Sequence, residues 1–202
     1  NFKKDIISSK LLSIFKKSKI GIPARKCIIK EITSKDANDF CEKYHIQGKT
    51  SSLIYSIGAF SKTGDLIGVM SFNKQRTTND IELIRFCHDG KIHNGLFSKM
   101  LKHSIKNNDW NKIISFADLR YSDGNLYDVN GFICEDVIRP DYRYVKNNKT
   151  YHKSNFKKNN IKNKFNLTEE YIKSKTEKQL MEEQGFSRIY DIGKMKYVMY
   201  IT

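Results

Sequence analysis

The sequence predicts an α/β (α+β) fold: a mixed central sheet flanked by helices, with a basic C-terminal extension. Three patterns carry the prediction. Polar and apolar residues alternate over residues 80–87 as in a strand. Leu96, Met100, Leu101 and Ile105 then recur at helical spacing. A second apolar run, residues 112–118, completes a strand, loop, helix and strand unit. A chain of 202 residues buries roughly two-thirds to three-quarters of its unfolded surface, so one domain with appendages needs no staples.

Taken in order, residues 1–20 place Ile6, Ile7, Leu11, Leu12, Ile14 and Phe15 on a short amphipathic basic helix. Gly21-Ile22-Pro23 ends it, and its expected role is to dock or connect. Residues 26–32 read as a first strand. Thr33-Ser34-Lys35-Asp36 then caps a helix carrying Ala37, Phe40 and Cys41. Residues 53–60 and 66–72 form a hairpin around Ser61-Lys62-Thr63-Gly64-Asp65. After the β-α-β unit, residues 124–132 hold a short helix and residues 133–137 a further strand. Residues 139–164 are dominated by Lys, Arg, Asn and Tyr with little apolar periodicity. Residues 174–184 return to a helix, and residues 188–192 and 194–201 read as a closing hairpin around Gly193. The expected division is a basic helix and linker at 1–23, a core at 24–138, a basic Tyr-rich arm at 139–168, and a helix and hairpin completing the domain at 169–202.

Composition narrows the function classes. The formal net charge is +15, from 37 Lys and Arg against 22 Asp and Glu, and implies a polyanionic partner such as nucleic acid, with DNA the expectation. No apolar run approaches the ~20 residues of a membrane span, so no membrane partner is expected. Cys27, Cys41, Cys87 and Cys134 show no C-x-x-C pair, which indicates neither a zinc site nor a disulfide framework and fits a reduced cytoplasm. No metal is expected. The first residue is not Met, which points to a chain that begins inside a longer protein, with an upstream nuclease domain as one candidate.

The loop between the two core strands is the most informative segment. A strand that delivers Arg85 and Cys87 into His88-Asp89-Gly90-Lys91-Ile92-His93-Asn94-Gly95, with a helix following at once, aims backbone N–H groups at an anion. That is a seat for phosphate or pyrophosphate, and Asp118 emerges beside it at the carboxyl end of the next strand.

The order of elements resembles the acyl-CoA-binding half of the GNAT N-acyltransferase fold. Within that superfamily the chain is similar to the phage Mom-like group, which modifies adenine in DNA, and to phage domains attached to mobile endonucleases. The matching residues are Tyr44-His45, Glu82-Leu83-Ile84-Arg85-Phe86, Ser115-Phe116-Ala117-Asp118 and Gly124-Asn125-Leu126-Tyr127 leading into Asn130-Gly131-Phe132. The resemblance implies acyl-CoA, acetyl-CoA included, held by Arg85, Cys87, Lys91, Asn94, Gly95 and Asn125. It implies Tyr127 as the proton donor to a thiolate leaving group, and a bacterial host cytosol if the chain is phage-encoded. One departure stands out: where GNAT loops carry a second small residue after Gly95, this chain has Phe97.

Four side chains are candidates for catalysis. His45 is a candidate general base or metal ligand, or else a helix-terminal residue bonding nearby carbonyls. Arg85 would grip phosphate or a substrate carbonyl, with Glu82 three residues earlier expected on the opposite face of its strand. Asp118 would take a proton from an amine or simply cap the turn containing Arg120. Tyr127 completes the set. His88 and His93 flank the loop as candidate phosphate partners. Arg139, Tyr142, Arg143, Tyr144, Lys153, Lys157 and Lys158 interleave cations with aromatics, the pattern of a single-strand binding surface. The leading expectation is acyl transfer to an exocyclic amine of a DNA base. The alternatives are a non-catalytic DNA-recognition module of a phage mobile endonuclease and an ordinary N-acetyltransferase.

Overall fold

The computed structural model describes residues 3–75 and 78–201. It is a mixed α/β structure with a central mixed sheet of seven strands flanked by helices; the mixed sheet is what the sequence predicts. The first elements are α1 (Lys4–Ile14), β1 (Ile28–Glu31), α2 (Ser34–Tyr44), β2 (Tyr55–Phe60), β3 (Leu66–Lys74) and β4 (Ile81–His88). Then follow α3 (Leu96–Lys106), β5 (Lys112–Asp118), α4 (Asn125–Asp128) and β6 (Ile133–Ile138), and β10 (Lys194–Tyr200) enters the sheet last.

Local chemistry sets these boundaries. Thr33 caps α2 by accepting from the Asp36 amide at 3.1 Å, and Ala37, Phe40 and Cys41 recur on the face that packs against Val69 and Cys87. Gly95 starts α3 from the left-handed region, at φ +76, where a side chain is disfavoured. Leu96, Phe97, Met100 and Leu101 are the buried stripe that follows.

The centre of the sheet is irregular, and that irregularity positions the site. The register between β3 and β4 slips between Ser71 and Phe72, so Phe72 pairs with Leu83 and Ser71 with Arg85, leaving Ile84 as the extra residue of a bulge. A bulge bends its strand. β4 is paired in parallel with β5 only at Ile81↔Ile113 and Glu82↔Ile114, so the two strands part from the bulge onward. The extra residue also shifts the alternation by one. Glu82 and Arg85 therefore share a face, instead of lying on opposite faces as three-residue spacing implies, and Arg85 feels the charge of Glu82.

Contacts divide the chain into two compact units. Unit 1 holds residues 1–116, 125–135 and 196–202, and unit 2 holds residues 117–124 and 136–195. The segment read as a basic Tyr-rich arm belongs to unit 2, which contains β7 (Tyr142–Lys146), β8 (Lys149–His152), α5 (Lys158–Phe165), α6 (Glu169–Lys173), α7 (Glu177–Glu183) and β9 (Ser187–Tyr190). Its sheet runs β8-β7-β9. Asn147 and Asn148 turn the β7–β8 hairpin with φ of +49 and +59, the left-handed pair of a two-residue turn. Thr176 and Gln179 form a reciprocal capping box on α7. Tyr144, Phe156, Ile161, Ile172, Leu180, Met181 and Phe186 make the unit's own core.

The closing hairpin expected around Gly193 does not form. β9 pairs with β7, while β10 lies between β5 and β6. Gly193 turns the chain between them with φ +92, and a Cβ there would stand 2.5 Å from the Ile138 carbonyl oxygen. Gly193→Ala is therefore expected to destabilise the protein by about 2 kcal/mol or more, read as a lower urea midpoint at unchanged slope.

Candidate functional site

A cavity of about 490 Å³ opens in unit 1 where α1, the end of α2 and the end of β4 meet. Tyr44 and His45 line it from α2, and Phe86, Cys87 and His88 from β4. α1 contributes its polar side, with Asp5, Ser9, Lys10 and Ser13 facing the cavity. The apolar residues Ile7, Leu11 and Ile14 of the same helix are 50%, 49% and 73% exposed. A surface helix ordinarily turns its apolar stripe inward; in α1 only Ile6 is buried, and it lines the cavity beside these polar side chains. Periodicity foretold an amphipathic helix but carries no sign of which side faces in.

His45 follows the last turn of α2. Its Nδ1 accepts from the Gln47 amide at 3.1 Å, which leaves Nε2 to carry the proton of the neutral ring. Burial, with the nearby charges of Arg85, Lys10 and Lys3, pushes its pKa down to about 4. His88 is arranged alike: Nδ1 accepts from the Gly90 amide at 3.2 Å, and burial lowers its pKa. The cavity thus presents two neutral imidazoles that donate through Nε2, a state better suited to polarising a carbonyl than to taking a proton at pH 7. Among the described residues no group of three His, Cys, Asp or Glu side chains is placed to hold a metal ion.

Arg85 is tied to the turn after α2: Nε donates to the Gly48 carbonyl at 3.2 Å and Nη1 to the Ile84 carbonyl at 2.8 Å. Burial lowers its pKa, with Cys41, Cys87 and Glu82 opposing. Cys41 and Cys87 meet through their sulfurs at 3.7 Å inside the core, so Cys87 offers a ligand its main chain and not its thiol. Of this pair Cys41 is the readier to ionise, because Cys87 bonds to its sulfur and Arg85 lies nearby.

Tyr127 stands where β4 and β5 part. Ser115 Oγ is 2.9 Å from both the Leu83 carbonyl and the Tyr127 hydroxyl, so one serine bridges the two strands and holds the phenol. Burial raises the Tyr127 pKa. Phe97, in the place of the small residue that the resemblance implied, is buried edge-on to Phe86 and Tyr127 with ring centres 5.0 and 6.0 Å away.

The amino end of α3 carries no acidic residue in its first turn, and Asn94 and Gly95 are exposed there. The Leu96 amide donates to the His93 carbonyl at 3.0 Å, and the Phe97 and Ser98 amides that follow have no intrahelical partners. The preceding chain runs beside the loop, with the Gly21 amide donating to the Ile92 carbonyl at 2.8 Å and the Ala24 amide to the Asn94 carbonyl at 3.0 Å. His93 fastens this pairing from within, 2.9 Å from the Ile22 carbonyl and 2.8 Å from Asp89, and is not placed to meet phosphate. Lys91 is exposed and 3.4 Å from Asp89. Asn125 begins α4, its carbonyl accepting from Val129.

Asp118 lies in unit 2 and serves its own turn. Arg120 grips both carboxylate oxygens, at 2.9 and 2.6 Å, and its amide adds a third bond at 3.1 Å. Those bonds hold the Asp118 pKa below the usual carboxylate range, so the geometry favours the turn cap over the proton acceptor. In the basic segment, Tyr144 is fully buried and cannot stack on a base. Its hydroxyl bonds Glu177 and Arg188. Tyr142 bonds Glu177, Lys153 pairs with Asp141 at 2.6 Å and Lys158 donates to the Ile172 carbonyl. Arg139, Arg143 and Lys157 are exposed.

The chain matches the model of the Mom protein family over residues 26–201. It belongs to that family. The match takes in unit 2 as well as the seven-stranded sheet. Structures similar to this chain include a GNAT family acetyltransferase from Streptococcus pneumoniae, with TM-score 0.49 and 14% identity over 87% of this chain and 99% of that one. A GNAT family N-acetyltransferase from Escherichia coli in complex with CoA has TM-score 0.44 and 14% identity over 56% and 72%. A spermidine/spermine N-acetyltransferase from Vibrio cholerae in complex with manganese ions has TM-score 0.48 and 9% identity over 88% and 94%. No curated protein matches the chain significantly.

The lowered pKa of His45 has a signed consequence. The folded value lies below that of the unfolded chain, so its contribution to stability is complete above about pH 6.5 and is lost as pH falls toward about 4. His45→Gln should flatten the acid decline of the melting temperature between these limits, by on the order of 2 kcal/mol. A parallel decline in both proteins would show that His45 stays solvated.

Proposed function

We propose that this Mom family chain transfers an acyl-type group from acyl-CoA to an exocyclic amine of a DNA base. The observation that carries the reading is the parting of β4 from β5 at the Ile84 bulge, which leaves one edge of β4 open beside the amino end of α3. An extended amide chain pairs with an open strand edge, and a helix amino end takes a diphosphate. Gly95 and Asn94 would receive the diphosphate, and Lys99, which donates to the Ala24 and Cys27 carbonyls at 3.0 and 2.6 Å, adds positive charge nearby. The thioester supplies an activated acyl carbon.

The protein's own residues then have separable tasks. An amine conjugated with a base ring is a weak nucleophile, so position and charge stabilisation must supply most of the rate. His45 donates through Nε2 to the carbonyl oxygen as charge gathers there. Tyr127, backed by Ser115, holds a proton for the departing sulfur. The C–N bond forms as the C–S bond breaks, and the proton lost by nitrogen balances the one gained by sulfur. A base in a duplex must first be flipped out.

The paired state of Asp118 and the low basicity of His45 favour a second reading, a DNA-recognition module without turnover. Two measurements separate them. Acetyl-CoA should raise the melting temperature by mass action, and Gly95→Asp should abolish the shift by setting a carboxylate against the diphosphate. Mass spectrometry of nucleosides from DNA incubated with the protein and acyl-CoA should reveal an adduct on a base amine. Asp118→Asn should retain most of that adduct while lowering thermal stability. An adduct lost by orders of magnitude would restore Asp118 as the base, and no adduct with any acyl-CoA would leave the recognition module.

A further inference from the structure

The two faces of α1 are unlike. Asp5, Ile6, Ser9 and Ser13 line the cavity, and Ile6 is the helix's buried residue. On the other side Ile7, Leu11 and Ile14 recur at the i, i+4 and i+7 spacing that sets side chains in one row. Phe15 extends the row at i+8 and is 67% exposed, and Leu12 flanks it at 47%. A helix that buries one apolar side chain gains little from packing on its own fold. Five large apolar side chains left together in water mark an interaction surface. The helix also precedes residues 26–201, the segment that matches the Mom family, so the stripe is no part of the matched core.

Charge sits at the two ends of the stripe. Lys4 heads the row that continues through Ser8, Leu11 and Phe15, and Lys16 and Lys17 follow its last residue; all three lysines are exposed. Asp5, the sole carboxylate in residues 4–19, lies on the cavity side. This pattern selects among occupants. A second copy of α1 laid antiparallel would set Lys4 against Lys16 and Lys17 of its mate, and laid parallel would stack like on like, which is unfavourable either way. A helix lying in a lipid surface carries its cations on the polar face, whereas Lys4 stands in the apolar row itself. A protein groove about 16 Å long, apolar along its floor and acidic at both ends, meets each feature, because helices are read in grooves through i, i+4 and i+7 anchors.

We infer that α1 is a docking helix whose outer face seats in the apolar groove of an acidic protein partner, with Ile7, Leu11 and Ile14 as anchors and Lys4 and Lys17 meeting carboxylates at the ends of the groove. The end charges set the direction in which the helix lies and speed encounter, and the apolar row supplies the hold. Three turns of helix make an interface below about 1,200 Å², the size of transient complexes. Asp5, Ser9 and Ser13 stay on the cavity side, so the partner docks without displacing the wall of the site. The surface therefore does not depend on which reaction the cavity serves.

Methyl NMR of the full chain tests it, with calmodulin as the probe: an acidic protein that opens Met-lined grooves for amphipathic helices when calcium is bound. Calcium-loaded calmodulin should shift the methyl signals of Ile7, Leu11 and Ile14 and leave those of Ile57 and Ile113, both fully buried, unmoved. Calcium-free calmodulin should shift none of them. Ile7→Ser/Ile14→Ser should weaken binding at least about tenfold with the melting temperature within about 2 °C of the unaltered protein. Lys4→Glu/Lys17→Glu should weaken it by about three- to tenfold and remove most of its salt dependence. Equal shifts with and without calcium would reduce the contact to charge and overturn the groove. A marked fall in melting temperature in Ile7→Ser/Ile14→Ser would place the stripe inside the fold and overturn the surface. Phosphatidylglycerol vesicles that bind the unaltered protein and not that variant would make the occupant a lipid surface, and self-association lost in that variant would make it a second copy; either overturns the protein partner. No shift at α1 with calcium-loaded calmodulin would overturn the docking helix outright.

Discussion

One extra residue at the middle of a sheet governs the chemistry available to this protein. In a regular strand the register of β4 with β3 would run on unbroken; here Ile84 is left unpaired. With it, β4 bends, its pairing with β5 stops after Glu82, and main-chain groups that a sheet normally consumes are left for something else. Arg85 leaves the alternation of the strand and anchors the turn beyond α2 through the Gly48 carbonyl. Ser115 and Tyr127 cross the gap from the other side. The open edge, the anchored guanidinium and the held phenol thus all lie within a few residues of the bulge.

Around that gap, burial and main-chain bonding settle protonation states in advance. His45 and His88 each have one ring nitrogen occupied by an amide two residues ahead, and desolvation keeps both rings uncharged. The cations that surround His45 reinforce this, since Lys3, Lys10 and Arg85 all disfavour a further positive charge. The result is a positive but weakly basic environment. It stabilises charge that develops on a ligand and does little to remove protons from one.

The main sheet was legible because its elements are long and periodic: β4, α3 and β5 fall within a residue or so of the positions that alternation and helical spacing predict. Unit 2 was not, for a physical reason. Its core is assembled from Tyr144, Phe156, Ile161, Ile172 and Phe186, one or two from each short element, so no window repeats at either period. The signals present were local ones, the Asn147-Asn148 turn and the Thr176 to Gln179 capping box. Reading Tyr142 and Tyr144 as a stacking surface took aromatics among cations for exposed ones, when the cations cover the aromatic core. At the site, Tyr44, His45, Arg85 and Tyr127 were legible by type. Their roles were not, because the protonation of His45 and the pairing of Asp118 with Arg120 depend on which backbone groups come near.

The path of the chain through the sheet has a bearing on how the protein is made. β10 lies between β5 and β6, yet it follows both in sequence, with all of β7 to β9 and α5 to α7 translated in between. At about 5–20 residues per second, β5 and β6 wait on the order of 3 to 10 s on the ribosome with facing edges unfilled. Unit 2 carries its own core and can condense during that interval. Synthesis therefore runs inside out, the later segment folding while the earlier sheet stays ajar, and a pause or a nick in residues 139–190 would strand the sheet with two edges open to other chains.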